Sequence, residues 1–396
     1  MNRIDEILQA GIDYKASDVH LKAGDPPIVR VDGRLYPLKN FSRLEASELK
    51  SMAEEIMGPL ERERYADFHE VDFAYGVAGL GRFRVNAYQQ RGTMVMVLRS
   101  IPYDIMTFSD LKLPPVIEKL AKETNRGLIL VTGTTGCGKS TTLASIIDYI
   151  NRSRSVNIIT IEDPIEYLHQ DRLSIVSQRE VGFDTNSFSL ALRSALRQDP
   201  DVILVGEMRD LETIEIALTA AETGHLVLST LHTVDALETI NRIVSAFPPF
   251  QQTQIRLQLS GILKGVISQR LISCKDGKGR VPAAEVLVST SRTRECIAEK
   301  AKTVEIKDAI IGGYTIYGMQ SFDQSLYSLF SKGLISYDEA LRQSSNPDDF
   351  ELKVKGISTG SDSSWDDFSQ DESKDQTTKG RGKGKDVPFQ VERFGQ

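Results

Sequence analysis

Residues 133–140 read Gly-Thr-Thr-Gly-Cys-Gly-Lys-Ser and follow directly on the apolar run Leu128-Ile129-Leu130-Val131. The stretch fits the phosphate-binding pattern G-x-x-x-x-G-K-[ST]: its glycines let backbone N–H groups close around phosphates, its lysine reaches the outer phosphates, and its hydroxyl ligates Mg²⁺. Gly133, Thr134, Thr135, Gly136, Cys137, Gly138, Lys139, Ser140 and Thr141 are therefore the candidate nucleotide-binding residues, and Ser140 is a candidate Mg ligand. Downstream, Leu143, Ile146, Ile147 and Ile150 fall at i, i+3, i+4 and i+7, the core-facing stripe of an amphipathic helix. A loop set between a buried strand and a helix N-terminus is what anion binding requires.

The pattern to either side sets the architecture. From Ile101-Pro102 onward, apolar runs alternate with longer helical segments, which implies a parallel sheet covered by helices. Before it, Ile4, Ile7, Leu8 and Ile12 space as a helix, Ile28 to Leu38 reads as a hairpin around Asp32-Gly33, and Leu44 to Met57 reads as another helix. Val71 to Arg99 reads as three strands separated at Gly76 to Gly81 and at Arg91-Gly92. The expected class is α/β, with a smaller α+β domain over 1–100, a linker over 101–110 and a P-loop domain with C-terminal helices over 111–356. A tail over 357–396, rich in Ser, Asp, Gln, Lys and Gly, carries too little apolar surface to fold alone and is expected to be disordered. Trp365, the chain's single tryptophan, lies in it.

Bulk properties narrow the function classes. A chain of 396 residues with 40% hydrophobic content can bury a large core. Its net charge of −7 gives no general attraction to nucleic acid or to anionic membranes. Cys137, Cys274 and Cys296 stand too far apart for a C-x-x-C metal pair or a disulfide framework, so a reducing cytoplasm is expected. The N-terminus shows no signal-peptide core and no apolar run approaches membrane-spanning length, so any membrane association is expected to be peripheral.

Open parallel sheets place ligands at the carboxyl ends of their strands, and several apolar runs here finish on chemistry-bearing residues. Ile158 to Ile161 delivers Glu162 and Asp163, Val202 to Val205 delivers Glu207 after one glycine, and Leu226 to Leu231 delivers His232. Glu207 stands where a carboxylate orients an attacking water, and Glu162 where one holds Mg²⁺ through water. His225 opens the strand that His232 closes; at ~3.3 Å per residue the two lie about 20 Å apart, so only His232 is placed to meet a γ-phosphate. His20, His69 and His169 sit in no recognisable constellation. In Arg82-Phe83-Arg84-Val85-Asn86-Ala87-Tyr88, alternation gives one apolar and one cationic face, with Arg91 and Arg99 adding charge nearby. Such arginines serve either as fingers across a domain or subunit boundary or as a solvated strand face.

Taken together, Gly-Thr-Thr-Gly-Cys-Gly-Lys-Ser-Thr (133–141), Ile-Glu-Asp-Pro-Ile-Glu (161–166), Arg-Ser-Ala-Leu-Arg-Gln-Asp-Pro-Asp (193–201), Gly-Glu-Met-Arg-Asp (206–210) and Gly-His-Leu-Val-Leu-Ser-Thr-Leu-His (224–232) resemble the PilT branch of secretion-superfamily ATPases, the type IV pilus retraction motors. The likeness extends over about residues 1–355 and includes Ala-Ser-Asp-Val-His-Leu (16–21) and Gly-Arg-Phe-Arg-Val-Asn (81–86). It implies a PAS-like N-terminal domain, a RecA-like motor domain, ATP and Mg as ligands, and a homo-hexameric ring. It further implies Glu207 as the Walker B glutamate, residues 161–166 as the Asp box, residues 224–232 as the His box, and Arg84 and Arg99 as arginines that reach bound nucleotide. The implied partners are an inner-membrane pilus platform protein and a paralogous pilus ATPase. The implied location is the cytoplasmic side of the inner membrane at the pilus base.

Two segments depart from the resemblance: the tail beyond Ile357, which is unlike the short end of typical members, and a stretch near residue 295. Where retraction motors commonly carry Ala-Ile-Arg-Asn-Leu-Ile-Arg-Glu, Thr293-Arg294-Glu295-Cys296-Ile297-Ala298-Glu299 keeps an arginine, an isoleucine and the final glutamate, which leaves an accessory, PilU-like motor open. A pilus-extension or type II secretion ATPase shares the fold but commonly carries a four-cysteine zinc segment absent from this sequence. Outside the class stand a nucleic-acid translocase and a scaffold that binds ATP without hydrolysing it.

Overall fold

The computed structural model describes residues 2–31 and 33–357. Asp32 and residues 358–396, with Trp365 and nearly all of the expected tail, lie outside the described residues.

Six strands form an antiparallel sheet: β1 (Asp18–Lys22), β2 (Ile28–Val31), β3 (Arg34–Pro37), β4 (Glu70–Val77), β5 (Gly81–Gln90) and β6 (Thr93–Ile101), in the order β3-β2-β1-β6-β5-β4. The hairpin expected over 28–38 is the β2–β3 pair. Alternation along β5 works as read: Phe83, Val85 and Ala87 are buried, and Arg82, Arg84 and Asn86 face away from the core. Ile4, Ile7 and Leu8 of the helix Arg3–Asp13, whose N-cap Asn2 accepts the Asp5 amide, pack onto that apolar face with Leu49 and Met52 of the helix Ala46–Ile56. A third helix, Pro59–Phe68, buries none of its residues, so it carries no apolar stripe to announce it.

Seven strands form the second sheet: β7 (Gly127–Thr132), β8 (Asn157–Glu162), β9 (Ile175–Glu180), β10 (Val202–Val205), β11 (Leu226–Leu231), β12 (Leu263–Ser273) and β13 (Arg280–Val288). The order is β13-β12-β7-β11-β10-β8-β9; all neighbours run parallel except β13, which pairs antiparallel with β12 at one edge. Every residue of β7, β10 and β11 is buried, as strands covered on both faces require. Ile129 and Val131 of β7 join Ile146, Ile147 and Ile150 of the helix Lys139–Ser153 on one face, while Leu128 and Leu130 join Ile214, Leu218 and Ile240 on the other. The carboxyl ends of β7, β8, β10 and β11 therefore open on one side of a well-packed layer. C-terminal helices, including Phe322–Ser331 and Pro347–Val354, close a smaller cluster around Ile272, Phe322 and Phe350.

Candidate nucleotide site

The loop after β7 is shaped by close backbone approach. At Gly133, φ is +139°, and an added Cβ would stand 2.5 Å from the Gln269 carbonyl oxygen and 2.6 Å from Cys137 Sγ. Gly136 and Gly138 also hold positive φ, +77° and +93°, and Gly138 is the N-cap of the helix Lys139–Ser153. That helix has no acidic residue in its first turn, so nothing offsets the partial positive charge its amides present to an anion. Lys139 Nζ donates to the carbonyls of Gly133 and Thr134 at 2.9 and 3.1 Å, folded along the loop it serves. Burial pushes the Cys137 thiol up, keeping it neutral at the core of the loop.

Facing the loop, a cleft of about 610 Å³ gathers Lys139, Ser140, Glu162, Glu207, Arg209 and His232. Glu207 reaches it because Gly206 hugs the sheet: the Gly206 amide donates to Ile161 O at 2.8 Å, and a Cβ there would meet that oxygen at 3.2 Å. The Glu207 carboxylate is shared, with Oε2 2.8 Å from Arg209 Nε and Oε1 3.3 Å from His232 Nε2. With only 17% of its side chain exposed, it is a preorganised acceptor rather than a solvated acid.

Glu162 accepts from Thr160 Oγ1 at 2.6 Å and from Gln178 Nε2 at 3.2 Å. Burial raises its pKa despite those bonds, and it makes no ion pair among the described residues, so a nearby cation would stabilise its charged form. The oxygen donors of Ser140 and Glu162 suit Mg²⁺, a hard ion that keeps waters and substrate phosphates in its shell.

The histidines divide, and His169, which the sequence placed in no constellation, joins His232 at the cleft. His232 lines the cleft. His225 Nδ1 instead lies 2.9 Å from Ala220 O at the end of the preceding helix. His169 also lines the cleft, but burial lowers its pKa to about 4, so it is neutral near pH 7 and adds no positive charge toward phosphates.

Within one chain, Arg84 and Arg99 do not reach the cleft. Arg84 Nε lies 4.0 Å from Asp72 and Arg99 Nε 2.8 Å from Asp18, both within the six-stranded sheet. Arg82 is the member of the cluster that crosses to the second sheet, 3.8 Å from Glu180 at the end of β9.

Sequence reading missed several lining groups. Arg209 lay inside a quoted motif without being assigned a role. Tyr167, whose hydroxyl is 2.9 Å from Thr141 Oγ1, and Arg280 at the start of β13 reach the cleft only through tertiary structure. A neighbouring hollow of about 280 Å³, between Met106, Thr141, Cys274 and Arg280, extends the site beside the loop.

A strand-loop-helix phosphate cradle, facing carboxylates on adjacent parallel strands, defines a RecA-like P-loop ATPase. The profile described as "Type II/IV secretion system protein" matches residues 1–360, and the chain belongs to that family, with the PilT-type ATPases. It is 47% identical over 347 residues to the "Type IV pilus retractation ATPase PilT" of Pseudomonas aeruginosa, covering 88% of this chain and 99% of that one. The "Type IV pilus ATPase PilU" of the same organism is 42% identical over 365 residues, covering 92% and 94%. A crystal structure of the pilus retraction motor PilT with bound ADP superposes with a TM-score of 0.79 at 50% identity, covering 89% of this chain and 99% of that one.

Proposed function

We propose that this ATPase is the motor subunit of a homo-hexamer that retracts type IV pili and so drives twitching motility. The observation that carries the chemistry is the Glu207 carboxylate, held between His232 and Arg209 and facing the phosphate loop. The amides of residues 133–141 and Lys139 bind the phosphates of ATP. Ser140 and, through water, Glu162 would hold Mg²⁺, which would supply positive charge toward the outer phosphates. Glu207 orients and activates the attacking water, and His232 meets the γ-phosphate. Arg84 and Arg99 complete the charge when a domain or subunit boundary closes on the nucleotide, exchanging their present carboxylate partners for phosphate oxygens. Closure and release of that boundary transmit hydrolysis to an inner-membrane platform protein, at which the ring docks from the cytoplasm. Among the described residues no helix is long and apolar enough to cross a membrane, which is consistent with docking.

A second reading, an accessory motor of the PilU kind, draws on the segment Thr293–Glu299. Of the residues that depart from the usual pattern there, Thr293 and Cys296 are buried and Glu295 is exposed, while the retained Arg294 and Glu299 are exposed. A deletion strain separates the readings. Excess pili with lost twitching are expected for the main motor, twitching that fails only when a paralogous motor is also removed for an accessory one, and bald cells for an assembly ATPase. Hydrolysis by the purified protein should be unaffected by DNA, since stimulation would mark a translocase.

A further inference from the structure

Glu285 lies outside the cleft and is only 6% exposed. It stands on β13 opposite Ser268 of β12, and Ser268 Oγ accepts a hydrogen bond of 2.9 Å from Thr132, the last residue of β7 before the phosphate loop. Glu285 Oε1 accepts the Ala236 amide at 2.9 Å. Ala236 opens the helix Ala236–Ser245, so that amide is one of the N-terminal donors with no acceptor inside the helix. The rest of the turn from His232 is fastened to the same helix. Thr233 and Thr239 hydroxyls lie 2.6 Å apart, the Val234 amide donates to Glu238 Oε2 at 2.9 Å, and Asp235 caps the Glu238 amide at 2.7 Å. The helix thus fixes the turn, and Glu285 ties the start of the helix to the sheet.

We propose that Glu285 is a positioning residue for ATP hydrolysis: by holding the Ala236 amide it sets the helix start, and hence the His232–Asp235 turn that presents the imidazole to Glu207. The inference rests on the roles proposed above for Glu207 and His232. The geometry gives it a signature that a merely structural carboxylate lacks. Burial pushes the Glu285 carboxyl up to about 7; Asp235 from the helix side adds to the push, while the Ala236 amide, Lys307 and Arg270 of β12 oppose it. Lys307 in turn lies 3.5 Å from Asp235. Ionised, Glu285 is the stronger acceptor for the amide and complements the positive end of the helix. Turnover is therefore expected to rise as pH passes through about 7.

The test is steady-state ATP hydrolysis by the full chain between about pH 6 and pH 8.5, with Glu285→Gln, Glu285→Ala and Glu207→Gln beside the wild type. Glu285→Gln keeps an acceptor for Ala236 but cannot ionise, so its kcat should stay within about threefold of wild type at neutral pH and lose the rise. Glu285→Ala removes the acceptor and should lower kcat about tenfold or more with KM for ATP changed less than about twofold, the pattern of a misplaced group rather than lost binding. A Glu285→Gln profile superimposable on the wild type overturns the proposal, as does wild-type kcat in Glu285→Ala. Glu207→Gln separates the levels of failure: if it turns over normally, the site assignment itself falls, whereas if it is inactive while the Glu285 variants behave as wild type, only the positioning role falls.

Discussion

The Glu207 carboxylate has two neighbours, Arg209 Nε at 2.8 Å from one oxygen and His232 Nε2 at 3.3 Å from the other. Glu207→Gln preserves the shape and one acceptor oxygen but removes the base. It should bind a fluorescent ATP analogue within about threefold of wild type while turnover falls by ~10²–10⁴, the usual contribution of general base catalysis. Full turnover in that variant would take the water-orienting role from Glu207. Glu285 gives a second, thermodynamic outcome. Its carboxyl stands at about 7 in the fold against 4.5 unperturbed, so the folded state holds its proton more tightly. The stabilisation is complete below about pH 4.5, falls between there and about pH 7, and is gone above it. At 1.4 kcal/mol per pH unit the loss is on the order of 3 kcal/mol. Glu285→Gln should thus raise the melting temperature relative to wild type more at pH 8 than at pH 5. An equal difference at both would show that Glu285 ionises in the fold as it does unfolded.

The phosphate loop sets how finely its glycines can be told apart. Gly133 and Gly136 share positive φ, but only at Gly133 would a Cβ strike its surroundings, 2.5 Å from a backbone carbonyl that cannot swing away; at Gly136 nothing lies within 4 Å. Gly136→Ala should cost ~1–2 kcal/mol of backbone strain. Gly133→Ala should cost more and displace the loop from β12, weakening ADP binding more than tenfold where Gly136→Ala weakens it only a few-fold. Equal losses in thermal melts and binding titrations would mean that the approach to Gln269 does not matter. The same comparison shows what could be read in advance. The loop, Glu162, Glu207 and His232 were legible because each follows a mostly apolar run, broken by Thr160 in β8 and by Ser229 and Thr230 in β11, and a strand buried on both faces can end only at the sheet's edge. β9, by contrast, reads Ile-Val-Ser-Gln-Arg-Glu and sits at an edge, half-wet, with no run to mark it. Gln178, which orients Glu162 from that strand, was invisible for this reason. Tyr167 comes from an irregular segment after β8 and Arg280 stands at the exposed start of the otherwise buried β13, and only tertiary packing brings them to the cleft.

The two sheets meet at an ion pair that alternation alone could not locate. The sequence placed Arg82 and Arg84 on one cationic face but could not say which of them would meet a carboxylate on the other sheet. Arg82 does so, 3.8 Å from Glu180, whose side chain is 5% exposed and whose pKa burial raises. Glu180 is the register partner of Glu162 across β8 and β9, so the contact sits one strand away from the carboxylate proposed to hold Mg²⁺. A buried carboxylate paired at close range with one guanidinium is a weak net stabiliser while intact but costly when that partner is removed, because the remaining charge has no water to turn to. Arg82 keeps 31% of its side chain exposed, so the full cost of breaking a buried pair does not apply, and about 1–3 kcal/mol is expected for Arg82→Ala. Glu180→Gln should cost less, since it removes the buried charge along with the partner. In Arg82→Ala/Glu180→Gln, much of the Arg82→Ala loss should be recovered, giving a coupling energy above ~0.5 kcal/mol in chemical denaturation. Were the two changes additive, the sheets would be held by other contacts, such as Ser145 Oγ on Met106 O at 2.6 Å and the Leu168 amide on Pro102 O at 3.2 Å. Coupling in stability together with a changed kcat in Arg82→Ala would instead tie the seating of one sheet on the other to the hydrolytic cycle, which a motor driven by closure of that boundary requires.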